Sequence, residues 1–115
     1  MKRGDVVRAE LPRPAGAVGR EQFGTRPAIV LQGKQSPANL ATVIIVPLTS
    51  NVAAARFPGS FVISPDSRNG LTVPSVVLTH QIRAIDKKRL QKVIGRISPG
   101  DLANLEGEVR KLLGL

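Results

Sequence analysis

The segment Ala41-Thr42-Val43-Ile44-Ile45-Val46-Pro47-Leu48 is apolar almost throughout, where a strand with one wet face would alternate. Continuous apolarity of this kind predicts a strand buried on both faces, so other elements must cover it from two sides. The run is far too short to span a bilayer. The chain has 115 residues and a mass of 12.2 kDa. One domain over residues 1–115 removes roughly two-thirds of its unfolded surface from water, so it can build a core without staples. Disulfide staples are in any case ruled out, because there is no Cys.

Further short strands are predicted around this one. Asp5–Leu11 is the first, and Arg26–Gln32 the second, with Pro27 near its start where a missing N–H is tolerated. Ser60–Ile63, Ser75–Thr79 and Val93–Ile97 follow. Pro12 to Thr25 is a long Pro- and Gly-rich loop, and loops of that length in a compact domain are usually functional or disordered. Thr49 to Gly59 reads as a second loop, and Asn69-Gly70 is a strong turn signal. Asp86 caps a short helical turn through Leu90. Ser98-Pro99-Gly100-Asp101 opens a helix, with Ser98 as N-cap and Pro99 at the first helical position. Leu102, Leu105, Val109 and Leu112 then recur at helical spacing and form one apolar stripe. The sum is an α+β, mainly β, chain: a small, strongly bent β-barrel with a C-terminal helix.

Seventeen Lys and Arg stand against eight Asp and Glu, giving a formal charge of +9 and a pI near 11.4. Such a balance points to an anionic partner. Without Cys, and with His80 the only histidine, zinc ribbons, thiol catalysis and His-rich metal sites are out, so no metal or other cofactor is expected. There is no Trp or Tyr and only Phe23, Phe57 and Phe61, too few for a paired-aromatic RNA platform. Asp5 follows the basic start where a signal peptide would turn apolar, so a cytoplasmic protein with no membrane partner is expected. Arg83, Lys87, Lys88, Arg89, Lys92 and Arg96 crowd a segment whose only acid is Asp86. This is either a solvated face or a phosphate-binding edge.

Arg26 ends the first long loop, and Thr49 and Ser50 end the apolar strand. An Arg with a hydroxyl suits a phosphate, because the guanidinium donates to two oxygens and the hydroxyl to a third. Surface charge and a strand-end cap are equally ordinary uses of these residues. His80 ends an apolar strand, either as a hydrogen-bonded structural residue or as a proton carrier. Glu21 and Gln22 could read base edges, and Phe23 could stack on a base; a plain polar loop is the alternative. Arg56 and Phe57 in the second loop carry the same two readings.

Three separated blocks, in order, resemble the MazF/PemK family of toxin endoribonucleases. They are Arg3-Gly4-Asp5-Val6-Val7 with Gly19–Gln32, then Val46-Pro47-Leu48-Thr49-Ser50, then Ser75–Leu78 with Gln81–Leu90. The resemblance runs over about residues 3 to 97 and is far more specific than any one block. It implies an SH3-like barrel, a homodimer, and a toxin that cuts single-stranded RNA at a short sequence without a metal. It implies an acidic antitoxin that covers the RNA groove. Arg26 matches the family's catalytic Arg and Thr49 its catalytic hydroxyl. Glu21, Gln22, Ser50, Gln81 and Arg83 fall in segments lining the groove, with Phe23 and Arg56 in its loops. Many relatives carry an acid where this chain has His80, so His80 takes that proton-transfer or RNA-contact role, or Arg26 and Thr49 act alone. The competing readings are a non-enzymatic toxin on the same barrel that poisons a topoisomerase, a barrel that binds RNA without cutting it, and a ribosome-associated module.

Overall fold

The computed structural model describes residues 1–12, 24–33 and 39–115. Seven strands and one α-helix follow in chain order: β1 Asp5–Leu11, β2 Gly24–Val30, β3 Thr42–Thr49, β4 Phe61–Ile63, β5 Ser75–Val77, β6 Arg83–Asp86, β7 Leu90–Arg96 and α1 Pro99–Leu113. Short 3₁₀ turns occupy Val52–Arg56, Thr79–Gln81 and Lys87–Arg89. Every strand pair is antiparallel. The order across the sheet is β4-β5-β3-β2-β1-β7, with β6 also on β3. The architecture is the expected one, mostly β with a C-terminal helix and barrel-like, although the hydrogen-bonded path is open rather than a closed ring.

β3 is shared by three partners. Thr42 to Ile45 pair with β6, Leu48 and Thr49 pair with β5, and Ile45 to Pro47 pair with β2. Its alternate residues feed two cores. Val46 and Leu48 join Val6, Ile29, Val77 and Leu105 on one face, while Val43 and Ile45 join Val7, Ala9, Ala28, Val30 and Ile85 on the other. The two-faced burial expected of the apolar run holds from Ile45 onward, which places that part of β3 at the centre; Ile44 is 41% exposed, so the start of the strand has one wet face.

α1 closes the first core with Leu105, which is fully buried. Leu102 and Val109 pack partly buried beside it, whereas Leu112 is left half-exposed. Truncating Leu105 to Ala would cost about 2–5 kcal/mol by opening a cavity there. The helix starts as predicted: the Asp101 N–H donates to Ser98 Oγ at 3.1 Å. It ends at Gly114, whose φ of 70° lets its N–H reach the last carbonyls.

The Asn69-Gly70 turn docks against β7. Asp66 Oδ1 accepts from the N–H groups of Arg68 and Asn69, each at 2.8 Å. These two bonds, that from Arg68 first, favour the charged carboxylate and hold Asp66 below its ordinary pKa. Asn69 is fully buried and its side chain ties Ser64, Asp66 and Leu71 together. Gly95 lies so close to this turn that a Cβ there would sit 2.3 Å from the Asn69 backbone.

Candidate active site

Arg26 lies on β2 and Thr49 on β3. The β2–β3 register pairs Ala28 with Pro47, Ile29 with Val46 and Val30 with Ile45. Arg26 and Thr49 each lie two residues beyond Ala28–Pro47, the last pair of this ladder, so both stand at the same end of it and, by strand alternation, on the same face. Arg26 is also paired with Ala9 of β1, and Thr49 with Val76 of β5. The Ala9–Arg26 and Thr49–Val76 pairs thus flank the same end of the β2–β3 ladder.

Thr49 is buried and Arg26 half-buried. Thr49 Oγ1 accepts from the Asn51 N–H at 3.2 Å. That bond occupies a lone pair and leaves the hydroxyl hydrogen to be donated elsewhere. Asn51 in turn caps the Val52–Arg56 turn, accepting from the Ala53 N–H. Neither contact was foreseen, although Asn before a run of small residues is an ordinary cap signal.

Arg83 is paired with Ile45, so β6 brings it to the same face as Arg26, with Gln81 just ahead of it. Both are half-buried. Ser50 is exposed immediately after Thr49. Arg26 and Arg83 thus share a sheet face, with Thr49 and Ser50 at the end of β3 and Gln81 in the turn before β6. Glu21, Gln22 and Phe23 lie outside the described residues.

Arg56 and His80 stand to one side. Phe57 packs on Val76 and Leu78, the first of which neighbours Thr49. The Arg56 guanidinium carbon lies 4.7 Å from the Phe57 ring centre, and its Nη1 donates to the Ala53 carbonyl. The His80 ring lies 5.2 Å from Phe57, tilted by 52°. His80 is exposed and also faces α1 across a pocket. Phe57 is thus the hinge between the two groups, a role its place in the sequence could not reveal.

The basic run is divided by the fold. Arg83 faces the site, Arg96 is bound to Asp5 at 2.9 Å, and Lys92 is paired directly opposite Arg8. Like charges in opposed positions are unfavourable.

The model of the PemK-like, MazF-like toxins of type II toxin–antitoxin systems matches residues 2–113. The chain belongs to that family. It is 32% identical over 115 residues to the endoribonuclease MazF of Staphylococcus saprophyticus, covering all of this chain and 92% of that protein. It superposes on a crystal structure of MazF from Deinococcus radiodurans with a TM-score of 0.78 and 27% identity, covering all of this chain and 97% of that one. A MazE–MazF crystal structure from the same organism gives a TM-score of 0.75 at 25% identity, over 100% of this chain and 97% of that chain. Among the described residues no helix is long and apolar enough to cross a membrane, and no His, Asp and Glu side chains gather in a group of three or more that could hold a metal.

Proposed function

We propose that this toxin is a sequence-specific, metal-independent endoribonuclease that cuts single-stranded RNA and thereby stops translation. The observation that supports this reading best is the β2–β3 register, which brings Arg26 and Thr49 to the same end of the ladder and the same sheet face. Arg26 donates two hydrogen bonds to the non-bridging oxygens of the scissile phosphate. Thr49, held by the Asn51 N–H, gives its hydroxyl hydrogen to a third position on the phosphate or to the ribose. The 2′-oxygen attacks phosphorus and its proton passes to solvent or to a phosphate oxygen. The 5′-oxygen leaves and takes up a proton, giving a 2′,3′-cyclic phosphate and a 5′-OH with no water consumed. Charge gathers on the phosphate oxygens in the transition state, where the fixed guanidinium acts.

Gln81, Arg83, Ser50 and Arg56 contact the RNA around the cut, together with Glu21, Gln22 and Phe23 of the first loop. His80 belongs to RNA contact rather than to proton transfer, because its ring is directed onto Phe57 and the α1 pocket. The same cationic face takes an acidic antitoxin, as the MazE–MazF assemblies of Deinococcus radiodurans suggest by likeness. The toxin works in the cytoplasm as a homodimer built from one toxin unit per chain.

The test is cleavage of a long RNA in EDTA. Discrete cuts with 2′,3′-cyclic phosphate ends are expected, and a 2′-deoxyribose at the cut site should block them. Cleavage of the deoxy substrate would remove the 2′-OH mechanism. Intact RNA with strongly salt-dependent binding would make this a binding module, and intact RNA with topoisomerase arrest would make it a poison of that enzyme.

A further inference from the structure

A pocket of about 260 Å³ lies between the Thr79–Gln81 turn and the C-terminal half of α1. It lies outside the Arg26–Thr49 pair and no step above uses it. Its size is below the range of about 300–1,000 Å³ typical of sites for larger small molecules, so it suits a single ring system. Pro58 and Leu112 supply apolar walls, and His80 lines it with an imidazole.

That imidazole is built into a column. Arg56 covers the Phe57 ring at 4.7 Å, and His80 contacts Phe57 at 5.2 Å. Phe57 itself is seated on Val76 and Leu78, so the column rests on the sheet. The exposed His80 ring is left as a stacking surface at the end of the column. The polar edge comes from α1. Glu108 Oε1 is held by Lys111 at 3.4 Å, while Oε2 lies 3.5 Å from where a Cβ on Gly59 would be. Glu108 lines the pocket with 23% of its side chain exposed. Its carboxylate is thus an acceptor at a ring-sized space beside a stacking surface and a cation.

We infer that this pocket binds one unstacked nucleobase of the RNA, with preference for a base that carries an exocyclic amino group. This rests on the endoribonuclease reading above. A carboxylate accepts from the amino group of adenine, cytosine or guanine and meets only carbonyl oxygens and a ring N–H on uracil. The Lys111 ammonium faces the adjoining phosphate, and His80 stacks on the base. The chain runs from His80 directly into Gln81 and Arg83, so a base held here belongs to a nucleotide near the cut. Phe57 makes the second link, through Val76 to Thr49. The pocket therefore sets the register of the RNA on the catalytic pair, without taking part in the chemistry.

His80 is the only histidine, so its C2–H gives one isolated proton resonance. Titration of the intact protein with AMP, CMP, GMP and UMP reads the pocket directly. AMP, CMP and GMP should move that resonance by ring current and saturate, with UMP about tenfold weaker. Leu112→Trp, at a half-exposed position, fills the pocket and should abolish the shifts. Glu108→Gln both donates and accepts, and should level the preference between UMP and the others. In RNA cleavage, Leu112→Trp and His80→Ala should each raise KM about tenfold and leave kcat within about threefold. An intact kcat separates this from misfolding.

If the RNA is cut and the resonance stays still with all four nucleotides, the pocket is not a base site. If no RNA is cut but the nucleotide pattern appears, the base site stands and the endoribonuclease reading falls. If Leu112→Trp leaves KM unchanged and weakens self-association in sedimentation, the pocket is a protein interface and the proposal is overturned.

Discussion

Two substitutions at Thr49 should separate stability from catalysis in opposite directions. Thr49→Ser keeps the hydroxyl and removes one methyl at a position only 6% exposed. Burying a methyl group is worth about 1 kcal/mol, which is about 4 °C in Tm for a chain of this length. Thr49→Val keeps the shape and removes the hydroxyl. Its folded-state loss is the single bond from the Asn51 N–H at 3.2 Å. Asn51 is exposed, so water can replace that acceptor, and the cost is about 0–1 kcal/mol. The catalytic consequences reverse the order. Loss of one donor aimed at transition-state charge lowers the rate about 10²–10³-fold, whereas the Ser variant should cut within about threefold of the natural chain. The assay is single-turnover cleavage of a defined RNA in EDTA, with thermal melts on the same samples. A double-mutant cycle over Arg26 and Thr49 completes it: if both groups serve one phosphate, Arg26→Ala combined with Thr49→Val should lose less than the product of the single losses. Cleavage by Thr49→Val within about tenfold of the natural rate, or fully multiplicative losses in the cycle, would refute the shared-phosphate geometry.

Other expectations follow from the same contacts. Arg26→Lys should cut almost as poorly as Arg26→Ala in that assay, because a point charge does not replace a two-armed donor. The lowered pKa of Asp66 means that its bonds stabilise the fold above the ordinary carboxylate range and are lost as pH falls through the folded-state value; acid melts should show this loss, and Asp66→Asn should flatten the acid limb. Gly95→Ala should strongly lower Tm, since its methyl would meet the Asn69 backbone at 2.3 Å, while Gly107→Ala on α1, where nothing lies within 4 Å, should be neutral or stabilising. Lys92→Glu should raise Tm slightly, by turning a like-charge pair with Arg8 into an attractive one worth about 0.2–1 kcal/mol.

The parts of the fold that local chemistry determines were legible in the sequence. Ser98, Pro99 and Asp101 mark the start of α1 to the residue, and the unbroken apolarity of β3 predicts its double burial. The boundary of the second strand was displaced, Gly24–Val30 rather than Arg26–Gln32, because pairing with β1 extends to Gly24 and no local signal announces it. The stretch after Ser75 read as one strand running towards His80, yet β5 stops at Val77 and β6 starts at Arg83. The break has no Gly or Pro to announce it. The Thr79 hydroxyl donates to the Gly59 carbonyl at 2.9 Å, a contact twenty residues distant in sequence that anchors the 3₁₀ turn. The candidate site shows the same division. Arg26 and Thr49 were nominated by residue type and by resemblance, but their place at one end of the ladder depends on the β2–β3 register, which tertiary packing sets. Arg56, Phe57 and His80 meet only because the β5 segment passes beside the second loop.

The arrangement also explains why the apolar run ends in a hydroxyl. A group that stabilises a transition state must be held to within about 0.5 Å, and strands hold position better than loops. From Ile45 to Thr49 every residue of β3 is buried, and its partners lie on both edges and its cores on both faces. Thr49 is the last residue in that frame, and Ser50 is the first outside it. Arg26, half-buried, is held by its pairing with Ala9 of β1. By contrast Arg56 and His80 belong to 3₁₀ turns with exposed surfaces, anchored at single points by Asn51 and Thr79. Changes in those turns can therefore alter the surface around Phe57 without moving the end of β3. The charge of +9 adds a field that attracts a polyanion to the whole surface.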